Sequence, residues 1–454
     1  MDIVNEPNSG DATHGTSGPL VLRPGDPGYE DELAGFQTGF APRPDAVFAA
    51  SSAADVAAAV RYAARRGLPV RVQATGHGLP GPSEGGVLIT TRRLDGVSVD
   101  PVARTARVQA GARWGQVVTA AAPHGLAPLN GSAPSVGVVG YVLGGGLGIL
   151  AREFGYAADH VRSLDVVTAD GRARHVTPES EPDLYWALLG GGGGLGVVTA
   201  LETDLVPVAT LYGGSVSFDG REVGAATVLR AWREWTRTVP EGLTSSFAAV
   251  PYPDLPTLPR ALRGRYVVSV RVAHTGADGE RITAPLRRIG PPLADSLRRM
   301  PYAESHTIHS DPDVPHAYYG DSAVLRELDL DAAGELLART GPDAGGPLCV
   351  VQVNQLGGAL AAGGAANAVP HRDGRFLVRL LAVGDREAAR ERLDAAFAPL
   401  APVTAGRALN FAFGAGNRTD GLWDAKTRKR LAAIRSRYDP ASLFGGDLGG
   451  PGAC

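Results

Sequence analysis

The sequence predicts an α+β protein in two parts. The first is built from strand–helix–strand units, the second on an antiparallel sheet with helices on one face. Three observations carry this expectation. The chain has 454 residues, too many for one ordinary core, so two domains are the natural division. A short apolar strand-like run, a helical stretch and a second strand-like run follow one another between residues 46 and 73, the order of a βαβ-type unit. Near Pro207 the texture changes, and residues 265–272 alternate polar and apolar side chains as a half-buried antiparallel strand does.

Residues 1–28, rich in Gly, Ser, Pro, Asp and Thr, are expected to be flexible. Residues 46–50 read as a short strand. Ser51 to Asp55 open a helix that runs through Arg66 and stops at Gly67. Residues 68–73, 87–90, 96–100 and 105–111 supply further strands, and residues 114–122 have helical spacing up to Gly125. Residues 161–176 read as a β-hairpin with Asp170-Gly171 at its turn. A helix over 183–189 stops in the five glycines Gly190 to Gly194, and a strand resumes over 196–200. From about 210 to 405 the spacing gives amphipathic helices over 223–239 and 386–400 and strands over 265–272, 348–356 and 375–381. The tail carries a helix over 424–438, ended by Asp439-Pro440.

Composition narrows the function classes. A net charge of −3 with no basic run gives no case for a nucleic-acid partner. Lys426 and Lys429 are the sole lysines, so the positive charge is nearly all arginine; with 61 glycines this reads as coding bias, not chemistry. Cys349 and Cys454 are too far apart in sequence for a disulfide framework or zinc cluster, and Cys454 is read as an exposed thiol. The N-terminus lacks the basic and apolar regions of a secretory signal, and no run of about 18 apolar residues exists, so no membrane partner and a cytoplasmic location are expected. Oligomeric state leaves no mark in the sequence.

The chemistry-bearing residues cluster in two glycine-flanked segments. His77 sits in Thr75-Gly76-His77-Gly78, straight after a β-branched run, and residues 131–148 hold a second glycine-rich stretch ending in Gly144-Gly145-Gly146. Two such loops, one presenting an imidazole, suit a phosphate-bearing cofactor whose reactive ring touches a histidine. Gly190 to Gly194 do not make a dinucleotide fingerprint, because there the helix precedes and the strand follows. His306 and His309 have no third ligand nearby, so no metal is expected. No Gly-x-Ser-x-Gly elbow appears.

Residues 68–200 resemble the PCMH-type FAD-binding domain of the vanillyl-alcohol-oxidase class and, within it, the berberine-bridge-enzyme-like family. The likeness rests on residues 72–78, on 131–148, on Leu150-Ala151-Arg152-Glu153-Phe154-Gly155-Tyr156 and on 165–172, 183–189 and 194–199. It extends to Gly357-Gly358-Ala359, His371-Arg372, Asn410-Phe411 and 434–444, and so covers about residues 35–450. It implies an FAD-binding domain over 29–208, a substrate or cap domain over 209–405 and a C-terminal return over 406–454. It implies FAD held by Arg71, Gln73, Ala74, Thr75, Gly76, His77, Gly78, Gly131, Ser132, Val136, Gly137, Gly140, Tyr141, Gly144, Gly145, Gly148, Gly196, Val198 and Asn410. The catalytic candidates are Tyr141, Gln352, Asn354 and Asn410.

Three departures from the family pattern bear on mechanism. Ala133 stands where many members carry a second, cysteinyl attachment, so FAD is expected to be linked through His77 alone. Val136 stands at the oxygen gate, which favours access of O2. Ala408 stands where many members carry a tyrosine base, leaving Tyr141, His309, Tyr318, Tyr319, Gln352 and Asn354 as candidates for that work. The resemblance implies an FAD-dependent oxidase that takes hydride from a small molecule of secondary metabolism, an alcohol, amine or polycyclic intermediate, and reduces O2 to H2O2. The alternative is a non-redox cyclisation, dehydration or pericyclic step with FAD as scaffold.

Overall fold

The computed structural model describes residues 19–362, 366–414 and 419–445. Residues 1–18 of the expected flexible segment, and Cys454, lie outside the described residues. Residues 20–22, expected to be flexible, instead form an edge strand, Leu20–Leu22, paired antiparallel with Ala46–Ala49. The reason is apolar: Leu22 packs with Tyr29, Leu33, Val47 and Leu88 in a small core of its own.

The first sheet has four strands in the order Leu20–Leu22, Ala46–Ala49, Val87–Thr90, Val70–Gln73, the last three mutually parallel. The helix Ala53–Arg66 covers it. Ser52 caps this helix, its side chain accepting from the Asp55 amide at 3.1 Å, and Gly67 ends it in the left-handed conformation at φ 63°. Val56 and Val60 are fully buried against Phe48, Ile89, Val167 and Val197, each contributing about 1.5–3 kcal/mol of apolar transfer.

The second sheet is antiparallel, in the order Ala173–Val176, Val161–Val167, Val197–Asp204, Thr105–Gln109, Val97–Asp100. Its hairpin turns at Gly171, whose φ is 72° and whose amide donates to the Thr168 carbonyl at 2.8 Å. Its core takes Trp114 and Val117 from the helix Trp114–Ala121, Val138 and Val142 from the helix Val138–Leu143, and Leu431, Ile434 and Tyr438 from the tail helix Ala425–Tyr438.

The third sheet has nine antiparallel strands. Its central run is Thr210–Asp219, Tyr266–His274, Thr244–Pro251, Leu348–Gln355, Phe376–Val383, Tyr319–Leu325. Because successive side chains alternate, the register divides it cleanly. Phe247 pairs with Val270 and Val353, and Val353 with Val378. All four belong to the core shared with the helices Ala225–Trp235, Leu330–Thr340 and Arg386–Phe397. The opposite face carries Arg271, Ser246 and Asn354 in one cross-strand row and Gln352, Arg379 and Ser322 in the next. The helix expected over 223–239 is shorter, Ala225–Trp235, because a wide turn over Gly220–Gly224 precedes it. No helix among the described residues is long and apolar enough to cross a membrane.

Candidate functional site

Two adjoining chambers open where the polar face of the third sheet meets the glycine-rich loops. The larger encloses about 1450 Å³ of non-atom space, including its mouth. Of the residues expected to hold the cofactor, Ala74, Thr75, His77, Gly78, Gly131, Ser132, Val136, Gly137, Gly140, Tyr141, Gly144 and Asn410 line it. Ala133, Phe36, Asp311, His316, Tyr318, Arg379, Phe411 and Phe413 complete much of the remaining wall. The smaller chamber holds Gln352, Asn354, His309, Arg271 and Gly148, and shares Ser132, Leu147, Arg379 and Phe411 with the larger.

The loop bearing His77 is shaped by Gly76. Its φ is 70°, and a Cβ there would lie 2.7 Å from the Gly35 Cα. The Phe36 and Gln37 amides donate to the Thr75 and Gly76 carbonyls at 2.9 and 3.1 Å, so the two segments lie backbone against backbone. The His77 ring stacks on Phe36 at 4.0 Å and 11°. Its Nδ1 lies 2.9 Å from Thr75 Oγ1 and its Nε2 3.2 Å from Ser135 Oγ, while Tyr318 donates its hydroxyl to the His77 carbonyl at 2.6 Å. Burial, with the Arg113 charge and His316 adding to it, pushes this imidazole down to about 3. His77 is therefore neutral near pH 7, with a ring nitrogen lone pair available.

The triple glycine turn is held by Asn410. Its Nδ2 donates to the Tyr141 carbonyl at 3.0 Å, and its Oδ1 accepts from the Gly146 amide at 3.2 Å. The Tyr141 ring meets Trp114 edge-on at 5.4 Å. Its hydroxyl is buried with no hydrogen-bond partner among the described residues, and burial raises its pKa well above 10. That phenol is suited to donate, not to serve as a phenolate base.

A cofactor with two phosphates fits these loops. The amides of Thr75, Gly76, His77, Gly78, Ser132, Ala133 and Gly137 donate no hydrogen bond within the described protein. Such free donors on glycine-rich turns are what an anion needs. A Cβ on Gly78 would meet nothing within 4 Å, so that backbone borders open space.

Several expected residues stand elsewhere. Arg71 reaches the Gly85 carbonyl at 3.5 Å, and Gln73, fully buried, donates to the Leu33 carbonyl at 3.0 Å. Gly145 packs against Val369. Gly196 abuts the Val167 carbonyl, and Val198 is in the second sheet's core. None of these, nor Gly76, belongs to the chamber walls. Among the base candidates, Tyr319 is buried in the third sheet's core and outside both walls. Burial also raises the Tyr318 phenol. His309 lines the smaller chamber with its Nδ1 unpartnered, and burial with the Arg271 charge depresses its pKa. Ala408 leaves a small backbone site, its amide and carbonyl both bonded to Ser322 Oγ at 3.1 and 3.3 Å. No group of three metal-ligating side chains occurs among the described residues.

Sequence reasoning missed Phe36, Ser135, Asp311, Arg271 and Arg379. Asp311 accepts a hydrogen bond from Ser132 Oγ. Burial opposes its charge, but His309, Arg379 and Arg271 outweigh that and hold the carboxyl below its usual range. The alternation of residues 265–272 was a signal for Arg271, read only as that of a half-buried strand, and residues 375–381, which hold Arg379, were read as a strand without a face assigned.

Residues 44–177 match the family profile described as an FAD binding domain. Over 449 residues the chain is 28% identical to (R)-6-hydroxynicotine oxidase of Paenarthrobacter nicotinovorans, covering 93% of this chain and 94% of that protein. An FAD-dependent monooxygenase of Fusarium proliferatum is 39% identical over 175 residues, 38% of this chain and 34% of that protein. In structure, 6-hydroxy-D-nicotine oxidase of Arthrobacter nicotinovorans superposes with a TM-score of 0.82 at 23% identity, over 95% of this chain and 97% of that one. Glucooligosaccharide oxidase of Acremonium strictum, whose FAD carries 6-S-cysteinyl and 8α-N1-histidyl bonds, gives 0.82 at 23% identity over 96% and 98%. Residues 44–177 thus resemble an FAD binding domain, and the proteins to which the whole chain is similar are FAD-linked oxidoreductases and oxidases.

Proposed function

We propose that this chain is an FAD-dependent oxidase of the berberine-bridge-enzyme-like kind, carrying FAD on His77 alone and acting on a small molecule. The observation that carries the reading is the neutral, stacked and hydrogen-bonded His77 beside a wall of free backbone amides, in a large chamber roofed by a polar sheet face. The similarity to FAD-linked oxidases supports it, and nothing in that similarity favours the non-redox alternative. We divide the chain accordingly, with 29–208 and the tail from 406 holding the cofactor and 209–405 the substrate.

Bound FAD supplies a two-electron acceptor for hydride from a substrate C–H, and O2 then takes those electrons with two protons to give H2O2. The chain's own residues do the rest. Thr75 and Ser135 orient the His77 ring, and the free amides of both loops receive the diphosphate. Ala133 offers a methyl group where a second attachment would need a thiolate. Val136 borders the chamber as a small gate for O2. Gln352 and Asn354 orient the substrate from the sheet face. With the tyrosines held protonated, His309 is the group that accepts the proton leaving the substrate oxygen or nitrogen, and Asp311 favours the imidazolium that forms.

The test is a spectrum. Acid-precipitated protein should keep its yellow colour in the pellet, and His77→Ala should release it to the supernatant. Anaerobic addition of candidate alcohols and amines should bleach the flavin band with at least one of them, and air should restore it with H2O2. Purified protein that is colourless and takes up no flavin would end this reading.

A further inference from the structure

The smaller chamber carries charge that the reaction above does not use. Of the described residues lining the two chambers, Arg271 and Arg379 are cations and Asp311 is the single carboxylate. Both guanidiniums converge on one neutral oxygen. Arg271 Nη1 donates to Gln352 Oε1 at 3.3 Å, and Arg379 Nη2 donates to the same atom. Neither has a carboxylate within ion-pair distance among the described residues. Arg379 also lies 4.8 Å over the Phe411 ring. Two like charges aimed at one amide, with one acid to balance them, leave an uncompensated cation away from bulk water. That is costly unless an anion arrives.

The surroundings are built to receive one. Gln352 is 4% exposed, and its Nε2 has no partner; His309 Nδ1 is likewise unpartnered. Arg271 and Asn354 share one cross-strand row and Gln352 and Arg379 the next, so three strands of one sheet fix these side chains. The chamber shares Ser132, Leu147, Arg379 and Phe411 with the cofactor cleft, so a molecule seated in one reaches the other. Burial depresses both guanidiniums, Arg379 to about 10, which an entering negative charge would reverse.

We infer that the substrate is a carboxylate-bearing molecule whose anionic group is held between Arg271 and Arg379, with the Gln352 amide turning to donate to it. A planar carboxylate matches the fork of each guanidinium, and charge-assisted bonds of this kind are the strong ones. The inference deepens the oxidase reading and rests on it for the word substrate; the anion site itself does not depend on flavin.

Calorimetric titration of the purified holoprotein with acetate and benzoate, each against its neutral amide, tests it at pH 7. At least one carboxylate should bind 10-fold or more tightly than its amide. Arg271→Gln and Arg379→Gln should each reduce that preference to about 3-fold or less while changing amide binding little, and Arg379→Lys, which keeps the charge, should restore part of it. Flavin absorbance is read on the same samples. Equal binding of acid and amide in the wild type, or arginine variants that keep the preference, would overturn the inference even in a fully yellow protein. A colourless protein that still prefers the carboxylate would keep the anion site and remove the oxidase.

Discussion

Gly76→Ala is the substitution that most directly separates the loop's shape from its histidine. The added Cβ would lie 2.7 Å from the Gly35 Cα and 3.3 Å from the Phe36 amide nitrogen, whereas carbon atoms rest at about 3.5–4.0 Å. The obstacle is backbone, so the two segments must part by roughly 1 Å. The left-handed conformation at φ 70° adds about 1–2 kcal/mol for a residue with a side chain. The two backbone hydrogen bonds that join the segments, from Phe36 and Gln37, are weakened at about 0.5–1.5 kcal/mol each. A local cost of about 2–5 kcal/mol follows from these principles, together with a displaced imidazole. Misplacement of a reacting group by 1 Å costs on the order of 100-fold in rate. The assay mixes apoprotein with FAD and follows flavin retained in the acid-precipitated pellet. The initial rate should fall about 100-fold, while Gly78→Ala, whose Cβ meets nothing within 4 Å, should leave the apoprotein's melting temperature unchanged. Attachment at the wild-type rate in Gly76→Ala would refute the claim that this turn positions His77.

Two further outcomes follow from the site. The folded His77 titrates at about 3 against roughly 6.5 when unfolded, so the unfolded chain gains the proton first as pH falls. The stability from keeping this ring neutral is complete above about pH 6.5 and drains below it, about 2 kcal/mol by pH 5. Apoprotein should lose that much more than His77→Gln between pH 7 and 5 in denaturant melts, and parallel losses would contradict the buried neutral ring. Val136→Leu should slow reoxidation of the reduced protein by air about 10-fold, since roughly 1.4 kcal/mol of added barrier suffices; stopped-flow absorbance that shows no change would remove Val136 from the gate.

Much of the first part was legible because its signals are local. Ser52 and Gly67 bracket the helix Ala53–Arg66, and Asp170-Gly171 marks the hairpin. In the third sheet, the strands Thr210–Asp219 and Thr244–Pro251 escaped notice. The first is interrupted by Gly213-Gly214, where the chain needs to pass the Ser296 carbonyl within 2.4 Å of a would-be Cβ. The second reads Thr-Ser-Ser-Phe-Ala-Ala-Val-Pro, poor in the branched residues that mark strands. The common face of Gln352 and Asn354 was legible from period two alone. Arg271 and Arg379 were not, because alternation separates two faces without saying what covers the polar one. Here it lines chambers whose other walls come from the glycine-rich loops. Asp311 and Ser135 come from loops, where no periodicity exists to place them.

The division of the third sheet into an apolar and a polar side has an adaptive consequence. Val270, Val353 and Val378 anchor the strands against three helices, while Arg271, Gln352, Asn354 and Arg379 project the other way from neighbouring positions. Ligand preference can therefore be rewritten one side chain at a time on a platform whose cohesion is vested in residues that never meet the ligand. A lineage built on this sheet is free to exchange one class of small molecule for another without first relearning how to fold.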